Sequence, residues 1–461
     1  MKKEIVTSRK LKPPIPGFPV AVRAGHLLFV SGRAGLDHET GMPLAGYREL
    51  GRRPTPALGL LAPDSWEETF VAQSVRIYED LATLVAEQGA QLSDLLFYSI
   101  YQREMRNFPV LARTRAALFE GGVAPPSTAS QVPALAHPGA LVYFDPVAAV
   151  PDAATGSEKQ VLRSEHVVPG PLSNYQLASR AGDFGFYAGV VGAHPESGII
   201  VYGEDELSDA DWPRPAGGLA SRLQLSPVSA QSYTIYRLIR DMLAEHGTDL
   251  SHVVRFNIYL RNMRDLPEVE RIGAHFMREA APAGTAIGVE SLARRDFHVE
   301  IECVTYCGGP LQYAPPDERV ASWGLHASAV RGGDLVFVSA LAGYDLAHGR
   351  MVLGPRDLAP ASASCVAPAI AGLEAQTPGQ IAAAVQTQVA LDQLALVLHS
   401  LDTDLRSLVK LTVYVRDIGE LPFVRNVLLA RLGEDPPAIT AIAVADLPLP
   451  DARVQFEAIA L

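Results

Sequence analysis

The chain has 461 residues, 48% of them hydrophobic and 20% charged, with Lys+Arg 39 against Asp+Glu 51 and a formal net charge of −12. This composition excludes global disorder, and the acidic balance removes any general attraction to nucleic acid or to anionic membrane, so neither is expected as a partner. Three cysteines, Cys303, Cys307 and Cys365, make no disulfide framework and point to a reducing, cytoplasmic setting. The Cys303–Cys307 pair has no second Cys/His pair at metal spacing. No metal or cofactor is therefore expected, and Cys303 reads as a buried strand residue. The basic start, Met1–Gly17, has no apolar stretch behind it, so no signal peptide is expected. No apolar run long enough to span a membrane is expected either.

The sequence repeats. Gly25–Gly35 (GHLLFVSGRAG) returns as Gly182–Gly192 (GDFGFYAGVVG) and as Gly333–Gly343 (GDLVFVSALAG), at offsets of 157 and 151 residues. A second block, Asp94–Arg103, matches His252–Arg261 and Ser407–Arg416, with Tyr101, Tyr259 and Tyr414 in register. A third block starts at Pro125, Pro282 and Pro437 and ends near Val150, Thr305 and Ala460. A period this long is a whole domain and not a solenoid unit. The expected domains are 1–155, 156–315 and 316–461, with linkers near 151–167 and 308–319.

Within each repeat the elements come in one order. A hairpin leads, with turns assigned to Asp37–Gly41 and His194–Gly198. A Pro-, Gly- and Ala-rich loop follows, over 42–65, 203–229 and 354–379, long enough to suggest a lid or clasp. A long helix comes next. In repeat 1 it carries Phe70, Ile77, Leu81, Leu84 and Val85 near helical spacing, and Gly89 and Gly247 sit where this helix should stop in repeats 1 and 2. The strand after it alternates: in repeat 2, Phe256, Ile258 and Leu260 face one way, Arg255, Asn257 and Tyr259 the other. Pro109, Pro267 and Pro422 suit the first turn of a second helix. A last strand, Val299–Val304 in repeat 2, closes the domain. The fold class is α+β, ββ-α-β-α-β, with helices on one sheet face.

These blocks resemble the Rid/YjgF superfamily, the reactive intermediate deaminases. The resemblance rests on the Phe-Val-Ser-Gly strand, the Val-x-x-Tyr-x-Arg strand, and the ending Pro-Ala-x-Thr … Val-Glu-Ile-Glu; it is strongest in repeats 2 and 3. It implies three tandem chorismate-mutase-like domains forming an intramolecular pseudo-trimer, monomeric as a chain, with clefts between neighbouring repeats. Imine-hydrolysing members grip a substrate carboxylate with an arginine where this chain has Ser127, Gly284 and Ile439. Their water-positioning acid aligns with Tyr143, Glu300 and Gln455. Their cleft tyrosine aligns with Phe18, Tyr175 and His326. Ala112, Glu270 and Arg425 fall where some members line the cleft from a helix. Only repeat 2 keeps both the acid and the tyrosine.

The resemblance implies Glu300 and Tyr175 as catalytic residues, with Ser127, Gly284, Glu270, His326 and Arg425 around the substrate. Glu302, whose counterparts Asp145 and Glu457 are also acidic, reads as a structural residue of the trimer core, expected to hydrogen-bond to backbone there. Arg103, Arg261 and Arg416 read as scaffold, pairing ions across repeat interfaces. The expected function is acid/base chemistry on a small imine, enamine or enol-like intermediate of a specialised bacterial pathway: hydrolysis, tautomerisation or cyclisation. The alternatives are a non-catalytic small-molecule-binding or regulatory Rid-like protein, and a chorismate-type lyase or hydrolase.

Overall fold

A computed structural model describes residues 1–51, 65–119, 124–151, 157–165, 175–203, 206–207, 227–277, 281–320, 324–374 and 377–461. Three mixed sheets carry the same strand order, one per repeat. Repeat 2 serves as the pattern. Its hairpin, Ala178–Ala181 and Phe184–Val191, pairs through the second strand with the closing strand Val299–Tyr306. The closing strand pairs with the central strand Val253–Leu260. The central strand then takes Ala283–Gly288 in parallel as its outer neighbour. Repeats 1 and 3 build the same ladder with Leu95–Gln102 and Leu408–Val415 as central strands.

Each repeat thus reads ββ-α-β-α-ββ, one strand more than the sequence pattern gave. The added strands, Ser127–Gln131, Ala283–Gly288 and Ala438–Ala443, are built from small residues. Their local β signal is weak, and they form because the neighbouring repeat buries their far side. The connecting segments also differ from plain linkers. Gln160–Leu162 and Gln312–Tyr313 add edge strands to the second and third sheets. Gln312–Tyr313 pairs with the sheet of repeat 3, just before residue 316.

The hairpin turn lies elsewhere than expected. Ala24 pairs with Leu27, which leaves a two-residue turn at Gly25–His26 with Gly25 at φ 57. A glycine at the first central position suits a type II′ turn. The Asp37–Gly41 turn comes after the hairpin and closes the bridge Leu36–Pro43. The long helices are Ser65–Glu87, Pro227–Glu245 and Pro378–His399. Gly89 (φ 78) and Gly247 (φ 70) end the first two; Asp402 (φ 56) takes that place in repeat 3. Pro109, Pro267 and Pro422 stand at the second residue of Phe108–Leu118, Leu266–Met277 and Leu421–Leu432, where a missing N–H costs little.

Most of the first two long loops falls outside the described residues. The third is partly ordered as a helix, Pro360–Ile370. Pro378–His399 is long and apolar enough to cross a membrane by length and composition, contrary to the sequence expectation, but it is mostly buried. Pro360–Ile370 packs on the flank that the sheet does not cover, so most of this helix is buried, with its Gln386, Gln388, Asp392 and Gln393 in hydrogen bonds. A largely apolar helix covered in this way is a core helix.

Each sheet packs one face on its own helices. Phe256, Ile258 and Leu260 join the helix core of repeat 2. The opposite faces turn toward one another. One apolar cluster joins Phe29 and Phe97 of repeat 1, Phe184 and Phe186 of repeat 2, and Phe337 and Ile459 of repeat 3. A second gathers Tyr101, Tyr143, Tyr259 and Tyr414. Fully burying side chains of this size contributes about 1.5–3 kcal/mol each, which favours the closed arrangement of sheets. Between the two clusters lies a polar belt with Asp145, Glu302, Glu457, Arg255 and Lys410, of which Glu302, Glu457 and Lys410 are each 4% exposed.

Candidate active site between repeats 1 and 2

The repeats meet at three interfaces built on one plan. At each, the outer strand of one repeat lies against the hairpin strand of the next. Between repeats 3 and 1, the Ile439 amide donates to Ser31 Oγ at 2.9 Å and the Gly32 amide to the Ile439 carbonyl at 2.9 Å. Between repeats 2 and 3, the Gly284 amide donates to Ser339 Oγ at 2.8 Å. Between repeats 1 and 2 the serine is replaced by Ala188, and the Gly189 amide donates to Thr128 Oγ1 at 3.0 Å. These strands place positions 127, 284 and 439 beside the acid position of the following repeat.

The interface between repeats 2 and 3 gathers four of the expected positions. Gly284, Glu270, His326 and Gln455 line one cavity of about 10 Å³, which holds no more than a water. The His326 ring fills the space a side chain at 284 would need. Its Nδ1 lies 3.2 Å from the Pro282 carbonyl, so this nitrogen carries the hydrogen. Burial holds the ring below the usual histidine range, with the Pro282 contact working against it. Gln455 donates to the Ala286 carbonyl at 2.9 Å. Burial raises the Glu270 carboxyl. The acid position here is a neutral amide already satisfied by backbone.

The interface between repeats 3 and 1 is filled. Ile439 and Tyr143 are fully buried and Phe18 nearly so. Tyr143 lies so close to Gly32 that a methyl added there would collide with its ring. Arg425 is not directed into a shared site. Its Nε donates to the Pro16 carbonyl at 2.7 Å and ties its helix to the amino-terminal segment.

The remaining interface keeps ionisable chemistry. Glu300 is 6% exposed and its carboxylate rests against Gly189, where a methyl group would displace it. Glu300 Oε2 is buried without a hydrogen-bond partner among the described residues. Burial, and then the nearby charge of Glu302, push the Glu300 carboxyl up to about 8. Water solvates a carboxylate far better than this pocket does, so the neutral acid is favoured. Tyr175 forms a bridge with Ala124 of repeat 1. Ser127, Tyr175 and Glu300 stand at the positions equivalent to Gly284, His326 and Gln455, which line one cavity at the next interface.

Sequence comparison misses one residue here. Arg115, on the second helix of repeat 1, is fully buried. Its Nη1 donates to Ser127 Oγ at 3.1 Å, and its guanidinium lies 5.2 Å from the centre of the Tyr175 ring. Nearby, the hydroxyls of Tyr78 and Tyr98 are 3.0 Å apart. The strand position that lost its arginine to Ser127 is therefore met by an arginine from a helix. A signal was present in the sequence: Arg115 sits between Leu111 and Leu118 at core spacing, where the other repeats have Gly273 and Leu428.

Two other expectations change. Arg103 donates to the Val132 carbonyl at 2.8 Å, Arg261 to the Arg295 carbonyl, and Arg416 pairs with Asp446. Each contact stays within its own repeat, so these arginines pin the loop before the closing strand and do not bridge interfaces. Glu302 does lie in the central belt, but it accepts from the Asn257 side chain at 3.0 Å and not from backbone.

Residues 216–307 and 369–461 match the family described as Endoribonuclease L-PSP. A RutC family protein of Pyrococcus horikoshii is 27% identical over 148 residues, 32% of this chain and 98% of that protein. A 2-iminobutanoate/2-iminopropanoate deaminase of Dermatophagoides farinae is 22% identical over 148 residues, 32% of this chain and 96% of that protein. Among solved structures, RidA from an Antarctic Psychrobacter is 22% identical at TM-score 0.25, covering 32% of this chain and 99% of its own. A chorismatase is 15% identical at TM-score 0.47, covering 80% of this chain and 93% of its own. The two matched regions, in repeats 2 and 3, together with these relatives support a place in the Rid superfamily.

Proposed function

We propose that the chain is a small-molecule enzyme whose three repeats act as a pseudo-trimer with one working site, between repeats 1 and 2. The observation that carries this reading is Glu300: a buried carboxyl whose Oε2 has no hydrogen-bond partner, at an inter-repeat position where the other two copies hold a backbone-bonded Gln455 and a packed Tyr143. The relatives named as iminobutanoate/iminopropanoate deaminase and reactive intermediate deaminase support an imine, enamine or enol-like substrate.

The chemistry follows from protonation. Glu300 holds its proton near neutral pH and is the general acid. For an imine, that proton goes to the nitrogen. Water adds to the carbon, and its proton returns to the carboxylate. A second transfer from Glu300 to the amine nitrogen expels ammonia, and the hydroxyl proton of the adduct returns to the carboxylate as the carbonyl forms, so imine plus water gives carbonyl plus ammonia with Glu300 restored. Tyr175 and the Arg115 guanidinium stand together beside Ser127, and Arg115 suits an anionic substituent of the substrate. The guanidinium comes from a helix and not from the outer strand, so the accepted ligands differ in shape from those held by a strand arginine. Domain limits near 155 and 315 and a monomeric chain belong to the same reading.

The test generates imines in situ with an amino-acid oxidase and traps survivors with semicarbazide. Wild type should accelerate hydrolysis and Glu300→Gln should not. Equal rates for the two would remove Glu300 from the chemistry. No acceleration by wild type, across imines and enol-like ligands alike, would leave a binding protein.

A further inference from the structure

The polar belt can be compared position by position. Directly after a bulge on each central strand stand Phe97, Arg255 and Lys410, opposite Val147, Val304 and Ile459. Two residues on, Ser99, Asn257 and Thr412 stand opposite Asp145, Glu302 and Glu457. At two interfaces the cation of one repeat meets the carboxylate of the next. Lys410 of repeat 3 pairs with Asp145 of repeat 1. Arg255 Nη1 of repeat 2 lies 3.5 Å from Glu457 Oε1 of repeat 3. At the third interface the cation is missing: Phe97 of repeat 1 stands there, and Glu302 of repeat 2 is the carboxyl it would have met. Phe97 and Glu302 line one cavity of about 10 Å³ together with Phe186, Tyr187 and Arg255.

The hydrogen bonds follow this difference. Asp145 engages Lys410 through Oδ1, and Thr412 lies 3.4 Å from its Oδ2. Glu457 accepts from Thr285 through Oε2, and Tyr414 lies 3.4 Å from its Oε1. Glu302 accepts from Asn257 through Oε1, and its Oε2 is buried without a hydrogen-bond partner among the described residues. Glu300 stands two residues earlier on the same strand, hence on the same face, and its Oε2 is buried without a partner too.

We propose that Glu302 is a second proton-carrying group of the repeat 1–2 interface, coupled to Glu300, and that Phe97 is the positioning residue that creates this pair by withholding the cation its two counterparts supply. Burial is the largest cause that lifts Glu302, to about 7; the charge of Glu457 adds to it, while Thr128, Asn257 and Arg255 draw it down. Arg255 is already committed to Glu457. Tyr101 and Tyr259 also face Glu302 across the belt, and burial keeps both as neutral phenols, with the Glu302 charge adding to that effect. Two neighbouring carboxyls in a site of this kind lose their protons in coupled steps. Such a pair can hold one proton while passing another, which a lone carboxyl cannot do. The use of the pair rests on the reading of this interface as the active site; its existence does not.

The experiment is a carboxyl-carbon NMR titration of the full, ligand-free chain carrying glutamate labelled at the side-chain carboxyl. Wild type should show two glutamates titrating above about pH 6. Glu302→Gln should remove one of them and move the other down by about one unit, and Glu300→Gln should remove the second. Phe97→Lys, which restores the missing cation, should send the Glu302 transition below about pH 5, while Phe97→Leu should keep both transitions high. A Glu302 that titrates below about pH 5 in wild type, or one that ignores Phe97→Lys in a folded protein, overturns the proposal. Should Phe97→Lys not fold, Glu302→Gln against wild type decides alone. Turnover is not read, so a protein without imine hydrolysis can still carry the pair, and an ionised Glu302 leaves the role of Glu300 to its own test.

Discussion

The interface between repeats 1 and 2 and the interface between repeats 3 and 1 share strand order, register and bulge, yet their contents are opposite. One holds Glu300, Glu302, Thr128, Tyr175 and Arg115. The other holds Tyr143, Ile439, Phe18 and a buried Lys410–Asp145 pair. Fusing the repeats into one chain makes this divergence possible, because each interface is encoded separately. The filled interface gains packing and closes its charges. The polar one leaves two carboxyl oxygens unsatisfied, a cost of roughly 1–3 kcal/mol for each such group. This contrast is what supports the proposal that the working site lies at the first interface.

The strongest way to break this contrast is to exchange the acid position. Glu300→Gln should lower turnover about 10²- to 10⁴-fold, whereas Gln455→Ala should leave it within about twofold, both read in the trapped-imine assay. Similar losses from the two would spread the chemistry over two interfaces. Next in size is stability. Lys410→Met leaves the part-buried Asp145 without its cation and should cost about 2–4 kcal/mol in denaturant unfolding, somewhat less than breaking a fully buried pair. Adding Asp145→Asn should recover much of that loss, and no recovery would mean that packing dominates at that site.

A smaller, signed effect is expected with pH. Glu300 and Glu302 are raised to about 8 and about 7 in the folded chain. Groups raised above their unfolded values stabilise the fold below the unfolded pKa and lose that contribution as pH rises through 7 and 8. Stability, read from the melting temperature, should therefore fall from about pH 5 to about pH 8 and level off above that, by on the order of a few kcal/mol in all. Glu300→Gln should flatten that fall, and an unchanged slope would argue against a buried neutral acid. Arg115→Lys should raise KM about tenfold and change kcat little if the guanidinium binds a substrate anion. An equal fall in kcat would give it a role in the transition state instead. The smallest contrast compares Gly189→Ala, which pushes against the Glu300 carboxylate and should lower turnover severalfold, with Ala340→Gly. The latter removes the equivalent methyl beside Gln455 and should cost no more than about 1 kcal/mol of stability.

Much of this molecule is legible along the chain. Three similar blocks in fixed order declare three repeats. Helical spacing in Phe70–Val85 and strict alternation in Arg255–Leu260 declare which faces meet the helices. Gly89, Gly247 and the aligned prolines mark helix ends because backbone geometry there is local. The lone acid Glu300 stands out beside Gln455 and Tyr143 for the same reason, since it can be compared with its own copies.

Other features depend on neighbours far away in sequence. The outer strands Ser127–Gln131, Ala283–Gly288 and Ala438–Ala443 carry little β signal, and the next repeat supplies their burial. Residues 134–135 extend the sheet of repeat 3 by pairing with Ile442 and Ala443, which no local pattern announces. Arg103, Arg261 and Arg416 recur in every copy, but only the fold shows that they bind their own loops. Arg115 reaches Ser127 because a helix of repeat 1 packs above its outer strand, and it meets Tyr175 because the next repeat begins there. The sequence determined the period, the elements and the one surviving acid, since these rest on contacts a few residues apart. Only the tertiary structure decided which interface buries its carboxyls without a cation, because burial and charge pairing there are set by residues of two repeats brought together.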